Sequence, residues 1–70
     1  MGPGKAVRIE IVVKERLDAQ RVSWFEGLEI EYPEAGGSHI TGRIPDQSAL
    51  HGLLALIRDL NLTLLSFKQF

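Results

Sequence analysis

The segment VRIEIVVK at residues 7–14 limits the chain most, because Val7, Ile9, Ile11 and Val13 fall on one side of an extended strand and Arg8, Glu10, Val12 and Lys14 on the other. A strand written this way buries one face and wets the other, so it belongs to a sheet covered on a single side. LEIEY repeats the alternation, with Leu28, Ile30 and Tyr32 against Glu29 and Glu31, and HITGRI carries it on with Ile40 and Ile44 flanking Gly42. Between them PEAGGS has the proline and glycine punctuation of a hairpin loop, which makes these strands antiparallel neighbours. Gly42 falls on the inward side, where a bulky neighbour such as Trp24 is expected against bare backbone.

The covering layer is written near the carboxy terminus. Pro45 and Asp46 supply a stop and an N-cap, and Leu50, Leu53, Leu54, Ile57 and Leu60 recur at helical spacing. Asn61 suits the left-handed position after the helix, and Leu62 the apolar contact beyond it. TLLSFKQF then reads as a last strand, with Leu65 and Phe67 inward and Leu64, Ser66 and Lys68 outward. Earlier, RLDAQRVSWFEG reads as a short helix capped by Asp18, stapled by Leu17 and Val22 and ended by Gly27. A loop pinned by Trp24 and Phe25 satisfies the same residues, and in both readings these two aromatics fill the core.

The expected fold is therefore α+β, a ferredoxin-like βαββαβ sandwich with a short first helix and strand order 4-1-3-2. Its alternative is an open βββαβ sheet with one covering helix. Residues 1–5 read as a disordered tail and 6–70 as the single domain. Either fold leaves one sheet face bare, carrying charges of both signs, with His39, Arg43 and Glu31 at its centre.

A core drawn from 70 residues supplies only ~3–5 kcal/mol of net stability. There is no cysteine, and the two histidines lie far apart in the chain, so neither a disulfide nor a metal is expected to relieve that marginality. Self-association remains, as a homodimer or higher homo-oligomer. A net charge of -1 argues against nucleic acid and membrane surfaces as partners. The longest apolar run of the helix, LLALI, is far short of a bilayer span, and MGPGKAVRIE has no signal-peptide core, so a soluble cytoplasmic protein without a cofactor is expected.

Two residues interrupt the helix. His51 lies off the core direction on the flank of Arg58, with no acidic residue three or four positions away to orient its imidazole. Gly52 costs about 1 kcal/mol relative to alanine inside a helix. With Ala55, Leu56 and Asp59 it forms a narrow second stripe on which a neighbouring helix can approach closely. GGSHITG lacks the Lys-Ser/Thr of a phosphate loop and joins two strands, and Ser38 and His39 point to opposite faces of theirs.

The strings WFEGLEI, DQSALHGLLALIRDL and LTLLS resemble a widespread family of short bacterial proteins of unknown function, over residues 7–67. In that pattern a glycine commonly ends the helix where this chain has Asn61. The resemblance implies an intact small domain and brings no activity, cofactor or partner. Two function classes follow from the residues. One is a noncatalytic, self-associating interaction or regulatory module that docks a protein through the helix back or an edge strand. The other is a small enzyme or ligand binder assembled at a dimer interface, using His51 or His39 with Arg58 or Arg43.

Overall fold

In the computed structural model the described residues are 6–70, so the tail expected at 1–5 lies outside them. Strand β1 (Val7–Val13), helix α1 (Ala19–Val22), a 3₁₀ turn (Ser23–Phe25), β2 (Glu29–Glu31), β3 (Ser38–Ile44), α2 (Gln47–Asp59) and β4 (Leu64–Gln69) follow in order. The fold is α+β, an open four-stranded antiparallel sheet of order β2-β3-β1-β4 with two helices. The segment read as helix or loop is a single α turn, with Asp18 Oδ1 accepting from the Arg21 amide at 2.8 Å, continued by the 3₁₀ turn.

The inward side of β1 is almost dry: Ile9, Ile11 and Val13 are fully buried and Val7 nearly so. Across from them β3 contributes Ile40 and Ile44, and α2 lays Leu50, Leu53 and Ile57 over the sheet. Leu17 and Phe25 complete this layer beside α2. The ends of α2 are chemically closed. Asp46 Oδ1 accepts from the Ala49 amide at 2.9 Å. At the other end Asn61 adopts φ 62°, its amide donates to the Arg58 carbonyl and that of Leu62 to the Ile57 carbonyl, so Leu62 turns back into the core.

Three packing expectations need correction. Leu65 is 61 % exposed, not inward. The partner of Val13 is Leu64 and that of Val12 is Ser66, so Leu65 is the extra residue of a bulge and leaves the alternation. Trp24 is 56 % exposed instead of filling the core, and Phe25 alone of the pair is buried. The neighbour over Gly42 is Leu28, whose Cδ2 would stand 2.7 Å from a Cβ at that position. A φ of +151° at Gly42 adds a backbone reason for glycine there.

The loop joining β1 to α1 is held by polar contacts. Ser38 is fully buried, and its Oγ donates to the Glu15 carbonyl at 2.8 Å while accepting from the Leu17 amide at 3.0 Å. Just before it Gly37 has φ +82°, and a Cβ would come within 2.6 Å of the Val13 carbonyl oxygen. Arg16 stacks over Tyr32 at 5.6 Å and donates to the Pro33 carbonyl, while the Tyr32 hydroxyl donates to the Leu17 carbonyl at 2.9 Å. Glu15 closes the far side, its two carboxylate oxygens accepting from the Thr63 amide and hydroxyl at 2.7 Å each.

Replacing Ser38 with alanine orphans a buried amide and a carbonyl, and urea denaturation should show a loss of about 1–3 kcal/mol. The Thr63 hydrogen bonds, first that from the amide, hold the Glu15 carboxyl below its ordinary value of 4.5. Because the folded value is the lower one, the contribution of Glu15 is fully present above the unfolded value and fades as pH falls through the folded one. Wild type should therefore exceed Glu15→Gln in stability at neutral pH, and denaturation curves repeated at falling pH should begin to approach each other near 4.5 and converge only below the lowered folded value.

Candidate functional site

Beside the core, the 3₁₀ turn and α2 diverge and leave a groove of about 310 Å³. Its apolar walls come from Trp24, Phe25 and Leu28 on one side and Ala49, Leu53 and Leu56 on the other. The local sequence explains the opening. The 3₁₀ turn sends Phe25 into the core and leaves the adjacent Trp24 facing outward. Opposite it Gly52 has no side chain, and a Cβ built there meets nothing within 4 Å. The helix wall is thus pared back where the largest apolar side chain of the chain stands in water. Glu26 and Arg43 are the charged residues of the lining.

Of the stripe expected on α2, Gly52 and Leu56 line this groove, whereas Ala55 is half-buried outside it and Asp59 is exposed. Asp59 lies 3.5 Å from Arg58, the one ion pair among the described residues. Both its members are largely solvated, so the pair contributes little. Ala49 and Leu53 join the groove wall instead. Sequence reasoning missed them, together with Trp24 and Leu28; the available signal was two adjacent aromatics in a short turn, which do not both face one core.

The histidines are elsewhere. His51 and Arg58 are exposed on the outer side of α2. His39 is half-buried on β3, opposite Val12 of β1 and Glu31 of β2, while Arg43 lies four residues along the same strand, opposite Arg8. Arg43 borders the groove and neither histidine does. No group of three or more His, Cys, Asp or Glu capable of holding a metal ion occurs among the described residues. What the arrangement offers chemically is an apolar recess with a tryptophan at its rim and an arginine at its end.

No described helix is long and apolar enough to cross a membrane. No curated protein and no solved structure matches the chain. Residues 8–68 match the model of a family described as a domain of unknown function, DUF8691, and the chain belongs to that family.

Proposed function

We propose that the domain is a noncatalytic interaction module that self-associates, with the groove between the 3₁₀ turn and α2 as the surface two copies share. The observation that carries this reading is Trp24, 56 % exposed at the rim of an apolar recess whose far wall is cut away at Gly52. Tryptophan seated in a pocket is the side chain that most often dominates a protein interface. In a two-fold dimer each copy offers the same patch, so Trp24 of one covers Gly52 of the other and the two grooves close together. Such closure also supplies apolar burial that a 70-residue core lacks. The architecture under this proposal is a ferredoxin-like sandwich with its first helix shortened to a turn, a reading supported by the strand order β4-β1-β3-β2. A short first helix exposes the groove that a full-length one would fill.

Sedimentation across the micromolar range should give a mass of two 7.8 kDa chains. Because the chain has one tryptophan, its emission should shift to the blue as the dimer forms. Trp24→Ala and Gly52→Arg should each remain folded by circular dichroism and sediment as monomers. A monomeric wild type, or a Gly52→Arg variant of unchanged mass, rejects the reading.

A further inference from the structure

The open face of the sheet carries an arrangement that the groove does not explain. In the register of β1 and β3, Arg8 stands directly opposite Arg43. The Phe70 amide donates to the Arg8 carbonyl at 2.9 Å, so the main chain of Arg8 bonds toward β4. In an antiparallel ladder the amide and carbonyl of one residue point the same way, which makes Arg8 and Arg43 a non-hydrogen-bonded pair with Cα atoms ~4.5 Å apart. This is the closer of the two cross-strand arrangements, and like charges placed in it are destabilising. Both side chains are exposed, and among the described residues neither has a carboxylate within ion-pairing distance. Glu10, the nearest acidic residue along β1, is paired in register with Thr41 and Lys68. The guanidinium of Arg8 instead lies over the face of the Phe70 ring, 5.7 Å from its centroid, on the β4 side of the strand.

We propose that Arg8 and Arg43 form a binding site for the phosphoryl group of a small molecule. Rooted opposite each other on neighbouring strands, the two arginines have the reach to turn both guanidinium forks onto one dianion, Arg8 by leaving the Phe70 ring, and three phosphoryl oxygens satisfy both where a single carboxylate satisfies one. The unfavourable pair is then neutralised by its ligand. Net charge near zero keeps the long-range field weak, so recognition is local and suits a small phosphate ester better than an extended polyanion. Arg43 also borders the groove, whereas Arg8 does not, and the site needs no second copy of the chain.

The test titrates inorganic phosphate into the full chain at neutral pH and constant ionic strength, with acetate and chloride as controls, while the backbone amides of β1 and β3 are followed by NMR. Phosphate should move the amides of Arg8 and Arg43 along saturating curves, and acetate should bind at least about tenfold more weakly. Arg8→Gln and Arg43→Gln should each weaken phosphate by about tenfold or more, the loss of one charge-assisted partner. Without phosphate, Arg43→Gln should melt no lower than wild type, since it removes the like-charge pair, and added phosphate should raise the melting temperature of wild type alone. Curves that do not saturate, acetate matching phosphate, or glutamine variants binding like wild type would each overturn the site. Should one variant fail to fold, the other decides. Trp24→Ala should keep phosphate binding whatever its mass, which separates failure of this site from failure of the interface.

Discussion

The structure depends on β1 being paired along both edges and buried on one side only. Its ladder to β3 runs the length of the strand and its ladder to β4 most of it, so no other element is satisfied on so many counts. Burying Ile9, Ile11 and Val13 completely requires a continuous lid, which α2 supplies together with Leu17, Phe25 and Leu62. Once those residues are committed to one face, the other face must solvate its own charges. The groove and the arginine pair are both products of that asymmetry: one lies at the margin of the lid, the other on the side no lid reaches.

The turn after β1 shows how a small domain holds a crossover with little apolar material. α1 contains no buried residue, and the residues before it are anchored by the hydroxyls of Ser38 and Tyr32 and by the carboxylate of Glu15. Each joins chain segments 15 or more residues apart. With Ser38 fully satisfied at zero exposure, the turn keeps Leu17 inward without a longer helix. The short α1 in turn leaves the side of α2 around Gly52 uncovered.

Local chemistry made much of this legible in the sequence. The alternation of β1, the Asp46 cap, the leucine spacing of α2 and the left-handed Asn61 depend on neighbours within a few residues, and the structure follows them. The Leu65 bulge does not, because it is decided by how β4 registers against β1 some fifty positions earlier. Trp24 and Leu28 compete for the space above Gly42, and hydrophobicity alone favours the larger side chain. Leu28 takes that space instead, and the 3₁₀ turn buries Phe25 and leaves Trp24 exposed. Gly52 stood out in the sequence because it breaks helix propensity, but the opposite wall of its groove is remote in the chain. The pairing of Arg8 with Arg43 is likewise a fact of register, invisible until β1 and β3 are aligned.

Three departures from local preference therefore gather around one end of the sheet: an interior glycine in α2, a tryptophan left in water, and two arginines face to face. Arg43 belongs to two of them, lining the groove and opposing Arg8. Each departure costs stability in a domain with little in reserve, and each has a simple remedy in a single substitution. Sequences that specify a fold agree across levels except where a site requires otherwise. Scattered over the surface, such residues would signify little. Concentrated where β3 runs into α2, they are the features that the proposed interface and the proposed anion site both draw on, while the buried side of β1 and the remainder of the core follow local preference.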